Sequence, residues 1–465
     1  MHETSPTRPS RGSPSENRSG GAPSEHCLVP LSGWGRSTVV WARERSGEDL
    51  EQVTRDVVLC RGLGRSYGDA ALPAREGEAI ASTIRANRLL AFDPDAGVLR
   101  AEAGFSIHEL VRFFLPRGWF APVSPGTQFV TLGGAIAADV HGKAHHQQGC
   151  FGRHLRKLRM RVGDGSIVEC SRDQHPELFR ATQGGMGLTG HILDAEFQLE
   201  RLPSPWIEQE VEICPDLHTL MGRLREAGDE WPFTVSWVDG FARGRNFGRG
   251  VVVKGRWARA EDAPPTPPPE RFRPAVPFEM PSGLLNESTG RLFYEFYYRM
   301  QRRGRRVVHP APFFYPLDSI RHWNRLYGSR GFTQYQCVLP EGDDIAGAQQ
   351  IFEQLQREHA IPFLAVVKDF GAEGEGMLSF PRSGLTLALD IPIDRDRTQV
   401  IVDQLNERVI AHGGRIYLAK DAFTREVHFR AMEPRLADWT RVREKWDPEH
   451  RIRSALAVRL LGDEA

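Results

Sequence analysis

The sequence predicts an α+β chain of two domains, on two observations. From Ser32 to about Pro203 the chain is rich in glycine, with short β-branched or apolar runs separated by turns. From Trp206 onward, strand-like alternation is interleaved with amphipathic stretches of helix length. The first pattern suits a strand-built domain over 29–203. The second suits an antiparallel-sheet domain over 204–414, covered on one face by helices.

Taken in order, residues 98–104 and 167–170 are short apolar runs that predict strands. Residues 107–114 (IHELVRFF) carry apolar side chains at helical spacing, and Pro116 and Gly118 end the run. Residues 207–213 alternate as a half-buried strand does, a helix follows over 217–227, and "FTVSWVDGF" and "RGVVVKGRW" predict two more strands. The stretch 260–283 is loaded with proline and reads as an extended surface insert. An amphipathic helix over 345–358, strands in "PFLAVVKDFG" and "GLTLALDIPI", and a helix over 399–412 stopped by Gly413 and Gly414 complete the pattern.

Composition narrows the function. Lys+Arg and Asp+Glu balance at 60 each, for a formal net charge of zero. A general nucleic-acid binder needs excess positive charge, so that class is set aside. Lysine occurs only at 143, 157, 254, 368, 420 and 445; chance and codon usage account for most such retention in an arginine-using chain, and each is a pointer to a place needing a compact or deprotonatable amine. The six cysteines show no paired spacing, which points away from disulfides and structural zinc and toward a reducing, cytoplasmic setting. Residues 1–28 read as a disordered tail with no apolar core for a signal peptide, and no run of 18 apolar residues predicts a membrane span.

The chemistry-bearing segments are glycine-rich. "RGLGRSYGDA", residues 61–70, follows the apolar run Val57, Val58, Leu59, Cys60. Its glycines permit consecutive N–H groups to face an anion, although a tight turn with an exposed arginine accounts for the same residues. It is neither a Walker A loop nor a clean G-x-G-x-x-G. Residues 124–152 (SPGTQFVTLGGAIAADVHGKAHHQQGCFG) contain a run of the smallest side chains from Gly133 to Ala138, which lets a flat group or another backbone lie close. His141, His145 and His146 invite a metal, but no Cys or carboxylate stands at ligand spacing, so no metal is expected. "LFRATQGGMGLTGHIL" repeats the small-residue theme. Three such segments suit an elongated ligand with a pyrophosphate and a broad ring system, which describes FAD.

These motifs resemble the FAD-binding (PCMH-type) domain of the vanillyl-alcohol-oxidase-type flavoproteins. Further along, "HWNRLYG", "GFTQYQCVLP", "LSFP", "LALDIPI" and "GGRIYLAKDA" are similar to the decaprenylphosphoryl-β-D-ribose 2-oxidase family, flavin subunits of a 2-epimerase in cell-wall arabinose-donor synthesis. The resemblance implies that residues 415–465 return to the FAD domain. It implies that Cys60, Arg61, Gly62, Leu63, Gly64, Arg65, Ser66, Tyr67, Gly68, Asp69 and Ala70 wrap the FAD pyrophosphate. Gly126, Thr131, Leu132, Gly133 and Gly134 would line the flavin, with His141, His191 and Tyr417 near it. Arg65 stands where covalent relatives carry histidine, so the FAD is expected to be non-covalent.

Oxidising a secondary alcohol needs a base for the hydroxyl proton, and the candidates near these motifs are Lys420, Tyr67 and His141, with Lys420 and Tyr67 assigned the catalytic role. By the resemblance Gln334, Gln336 and Lys368 line the substrate pocket. Lys420 is alternatively a surface ion pair with the adjacent Asp421. The family's flavin-side cysteine is Ala388 here, and its tyrosine two before P-L-D is Phe314. The implied activity is oxidation of the 2-hydroxyl of a polyprenylphosphoryl pentose, with a nicotinamide-dependent reductase as partner. A soluble polyol or aldonolactone oxidase, or a non-catalytic flavin-binding subunit, are the other readings. Residues 297–314 mix arginines with aromatics, as a solvated loop does or as a rim meeting a lipid phosphate and a membrane surface does.

Overall fold

The computed structural model describes residues 27–464, so all but the last two residues of the expected N-terminal tail fall outside it. Three larger sheets frame the described residues, beside a two-stranded pairing of Trp119–Phe120 with Glu200–Arg201. A four-stranded sheet runs in the order Leu28–Ser32, Val39–Ser46, Ala79–Ser82, Leu59–Arg61, with its last two pairings parallel. A five-stranded antiparallel sheet runs Leu89–Asp93, Val98–Glu102, His191–Gln198, Leu155–Arg161, Ile167–Ser171. Against its apolar side pack the helices Ile107–Phe114 and Leu132–Ala137, burying Leu110, Phe114 and Ile136 with Leu99 and Leu158. Ser106 and Glu109 close a reciprocal capping box at the start of the first helix.

The third sheet has eight antiparallel strands in the order Gly304–Val308, Ile207–Cys214, Gly250–Trp257, Phe233–Val238, Leu364–Phe370, Gly384–Pro392, Phe332–Pro340, Arg415–Ile416. Its register explains an oddity of the sequence, which places polar residues in otherwise apolar strands. Gln334 lies opposite Asp390 and Gln336 opposite Ala388, while Lys368 lies opposite Thr386. Since side chains alternate faces, these residues share one side of the sheet. Tyr335, Cys337, Ala365, Val367 and Leu389 take the other, where they pack with Leu220 and Leu224 of Leu217–Glu230, Ile351 and Phe352 of Asp344–Arg357, and Leu405 and Val409 of Arg395–Ala411. The helices cover one face and leave the polar face to the site.

The proline-rich insert forms no helix and is tied down by an isolated bridge between Ala275 and Arg321, by Arg325 donating to the Val276 and Pro277 carbonyls and by Trp206 donating to that of Thr266. Residues 297–314 are ordered rather than looped: they close the helix Glu287–Met300, add the edge strand Gly304–Val308 and enter the short helix Pro310–Phe314.

After the edge strand Arg415–Ile416 the chain crosses to the first glycine segment. The Tyr67 N–H donates to the Ala419 carbonyl at 2.9 Å. Arg459, on the helix Ala455–Leu461, fastens this crossing by donating to both Asp69 oxygens (2.7 and 2.8 Å) and to Asp421 (2.7 Å). Replacing Arg459 with methionine leaves two carboxylates enclosed without their partner. It is expected to cost about 3–5 kcal/mol of unfolding free energy. An unchanged urea midpoint and slope would refute the clamp.

Candidate active site

A cavity of about 470 Å³ lies between the glycine segments and the polar face of the eight-stranded sheet. The first segment forms its wall at Cys60, Gly62, Leu63, Gly64, Arg65, Ser66, Tyr67 and Ala70. Arg61, Gly68 and Asp69 stand behind that wall and hold it. Arg61 donates to the carbonyls of Ser32 (2.7 Å) and Ala71 (3.0 Å), and Asp69 takes the Arg459 fork. At Gly68 any Cβ would strike the Asp421 carbonyl, so glycine is what lets the two segments touch. The Arg65 guanidinium lies over the Trp34 ring at 4.3 Å.

The second segment contributes Gly126, Thr131, Gly133 and Gly134 to the cavity. Thr131 caps the helix Leu132–Ala137 by accepting from the Gly134 N–H at 3.3 Å. Leu132 is in the apolar core and His191 is behind the wall, where it donates from Nε2 to the Val57 carbonyl at 3.3 Å. Neither lines the cavity. Burial holds the His191 ring down at about 4. Tyr417 lines it, its hydroxyl donating to the Ala138 carbonyl at 2.9 Å.

His141 lines the cavity as well. The Thr386 hydroxyl donates to the Cys337 carbonyl (2.9 Å), so it accepts from Gln336 Nε2 (3.2 Å), and the same amide donates to His141 Nε2 at 3.0 Å. That network assigns the His141 proton to Nδ1. Nδ1 is buried and has no protein partner. Burial, with Lys368 and Lys420 nearby, keeps the ring neutral. His146 donates to the Trp231 carbonyl at 2.9 Å, and no cluster of three or more metal-ligating side chains occurs among the described residues.

Three of the six lysines converge here: Lys143, Lys368 and Lys420 all line the cavity. Lys143, which sequence reasoning passed over, donates to the Phe314 carbonyl at 3.0 Å. Burial pushes it down to about 7, with the Lys368 charge adding to the effect. Burial likewise pushes Lys368 down to about 8. Lys420 sits with Nζ 3.8 Å from the centre of the Tyr67 ring. Its neighbour Asp421 is turned to Arg459, so the surface ion pair expected as an alternative does not form. Enclosure lowers the Lys420 ammonium's hold on its proton, Asp390 opposes this and Lys368 reinforces it.

Sequence reasoning also passed over two carboxylates. Asp318 lines the cavity and accepts from the Thr127 hydroxyl and the Gln128 N–H, both at 2.8 Å. Asp390 lies behind Gln334, accepting from its amide and, at 3.4 Å, from the Tyr327 hydroxyl. The single signal in the sequence was Lys143, one of so few lysines, two residues after His141.

Residues 51–171 match a family model described as an FAD binding domain. Over 450 residues the chain is 34% identical to the decaprenylphosphoryl-beta-D-ribose oxidase of Mycolicibacterium smegmatis, covering 92% of this chain and 97% of that protein. The chain belongs to the decaprenylphosphoryl-β-D-ribose oxidase family. A Streptomyces coelicolor protein of uncharacterised function is 33% identical over 374 residues, 76% of this chain and 99% of that protein. The D-lactate dehydrogenase of Anaerostipes hadrus is 25% identical over 134 residues, 28% of each chain.

As a member of this oxidase family the chain is an FAD-dependent oxidoreductase of α+β fold. Its residues fit the cofactor. The cavity runs along all three glycine segments, the third contributing Gly187 and Gly190, the His141 Nδ1–H is an unused buried donor, and beyond its own chain neighbours no protein atom lies within 4 Å of where a Cβ on Gly126 would stand. A flat ring system fills such a space without displacing the chain.

Proposed function

We propose that this chain oxidises the 2-hydroxyl of a polyprenylphosphoryl pentose to a 2-keto sugar, the first half of a 2-epimerisation completed by a nicotinamide-dependent reductase. One observation carries the reading. Where the second glycine segment meets the eight-stranded sheet and the Lys420 crossing, the cavity is lined by Lys143, Lys368 and Lys420 with Gln334 and Gln336, cationic and amide groups suited to a sugar phosphate. The name of the Mycolicibacterium relative supports it. In this reading 29–203 with 415–465 hold FAD non-covalently, and 204–414 shape the substrate chamber.

When bound, FAD supplies the acceptor for the electron pair that leaves the sugar carbon with its hydrogen. The rest falls to this chain. Lys420 meets the reacting oxygen and takes the hydroxyl proton at Nζ. Its lowered proton affinity brings the neutral amine within reach near neutral pH, as a general base requires. Tyr67 lies beneath Nζ and fixes its height above the loop. Gln334, Gln336 and Lys368 orient the sugar and its phosphate. Arg65, His141, Tyr417 and the glycines Gly62, Gly64, Gly126, Gly133 and Gly134 hold the cofactor, while Cys60, Leu63, Ser66, Ala70 and Thr131 complete its walls. Arg61, Gly68, Asp69, Leu132 and His191 act from behind.

The test is anaerobic bleaching of the flavin with a panel of lipid-linked and free sugars. Bleaching by the lipid-linked pentose supports the assignment, and bleaching by a free polyol or aldonolactone alone overturns it.

A lipid-linked substrate also needs a surface for its chain. No helix among the described residues is long and apolar enough to cross a membrane. The helix Glu287–Met300 instead exposes Leu292 (73%), Phe296 (62%) and Met300 (59%) in one stripe. Its Tyr297 packs against Trp237 of the cavity wall at 5.9 Å, so the stripe flanks the chamber. Exposed Arg302, Arg303, Arg305 and Arg306 follow it. Replacing the four arginines with serine is expected to weaken binding to anionic vesicles, flatten its salt dependence and slow use of the lipid-linked pentose. Loss of the Arg305–Glu210 pair (2.6 Å) adds little, being at the surface. Turnover of a short, water-soluble analogue should change little; equal loss on both substrates would refute the rim.

A further inference from the structure

The cavity is unbalanced in charge. Its lining carries Arg65, Lys143, Arg321, Lys368 and Lys420 against the single acid Asp318. Asp318 is engaged by Thr127 and Gln128. Lys420 therefore faces like charges, over an aromatic ring, within an enclosure that disfavours its ammonium. One further acid lies close. Asp390 is opposite Gln334 in the sheet register and fully buried, on the face that carries the site. Burial raises its carboxyl, while the Gln334 bond, the Lys420 charge and the Tyr327 bond oppose this, so Asp390 and Lys420 hold each other charged as a pair.

Asp390 is placed by its neighbours. The Gln334 amide donates to Oδ1 and the Tyr327 hydroxyl to Oδ2. Tyr327 stacks on Phe332 at 4.1 Å, and Phe332 meets the Tyr67 ring edge-on at 5.4 Å. The carboxylate, the aromatic stack and the lysine are thus one assembly built from two strands, the turn before Phe332–Pro340, the first glycine segment and the crossing after Arg415–Ile416.

We propose that Asp390 is the positioning residue that sets how firmly Lys420 holds its proton, acting by opposite charge from behind Gln334. The proposal rests on the reading of Lys420 as the proton acceptor. An acceptor that has lost its counter-charge in an enclosed, cationic site is too weak to take a hydroxyl proton, and Asp390 restores that strength. It does so without occupying the chamber or touching the sugar.

The other groups facing the pair cannot substitute for it. Tyr67 and Arg65 come from the first glycine segment, His141 from the second, Tyr294 from the helix Glu287–Met300, Tyr327 from the turn before Phe332–Pro340, and Lys368 from Leu364–Phe370. All of these are cationic or neutral at pH 7. Asp318 acts on Tyr67 and is engaged elsewhere.

With six lysines in the chain, the holoenzyme can be read directly by NMR after labelling lysine with 13C at Cε. The Lys420 resonance is assigned by its loss in Lys420→Arg, and the titration is repeated in Asp390→Asn, which keeps the side-chain shape and an acceptor for Gln334. The Lys420 midpoint is expected to fall by about one pH unit or more, while Lys157, paired on the surface with Glu169, stays where it was. In parallel, the limb of the pH profile for flavin reduction that belongs to Lys420 should move down by the same amount. A smaller or opposite shift of the resonance overturns the proposal. Where Asp390→Asn fails to retain flavin, Asp390→Ser removes the charge without crowding and is judged by the same criterion. Because the resonance needs no substrate, the shift is readable even if no lipid-linked sugar is ever oxidised, which keeps this result separate from the test of the function.

Discussion

Lys420→Ala is expected to lower flavin reduction by substrate roughly a hundredfold or more while leaving FAD bound. A charged or proton-accepting group at the reacting oxygen of an enclosed site contributes on the order of 3 kcal/mol to the transition state. The structure explains why the loss should be confined to chemistry. The Lys420 amine rests on the Tyr67 ring, and the crossing that carries it is fastened by Arg459, Asp69 and Asp421, none of which the substitution touches. The visible spectrum of the variant should match that of the wild type. Reduction at the wild-type rate would remove Lys420 from the reacting oxygen.

Acid precipitation is expected to leave the yellow colour in the supernatant. A covalent link needs a nucleophile against the cofactor, and the cavity supplies none that is prepared for it. Arg65 occupies the loop position where a histidine would attach, with its guanidinium laid over Trp34. Burial pushes the Cys60 thiol up to about 12, so it stays protonated and unreactive. His141 has Nε2 tied to Gln336 and its proton on Nδ1. Flavin that remained with the washed pellet would show that one of these groups reacts after all.

What the sequence disclosed follows from how local each signal is. The helix expected over 107–114 is Ile107–Phe114, because apolar spacing, a serine cap and a terminating proline all lie within a dozen residues. Helices expected over 345–358 and 399–412 occur as Asp344–Arg357 and Arg395–Ala411; they begin one and four residues early, where the Asp343 and Asp394 side chains accept no capping hydrogen bond. The glycine segments were legible for the same reason. Their division of labour was not. That Asp69 clamps while Ser66 lines the cavity depends on Arg459, which no local pattern links to either. Lys143, Asp318 and Asp390 escaped notice because register and tertiary packing bring them to the site. Asp390 in particular sits in an apolar strand, and only its pairing with Gln334 shows which way it faces.

The clamp between Asp69 and Arg459 joins positions 390 residues apart. During synthesis the first glycine segment leaves the ribosome long before the helix that fastens it exists. Contacts of such separation close late and slowly, and until then the unfinished edge is exposed. The finished cradle therefore arises only once the helix Ala455–Leu461 is out, so cofactor loading follows that helix, and a message cut short before it should yield a colourless product.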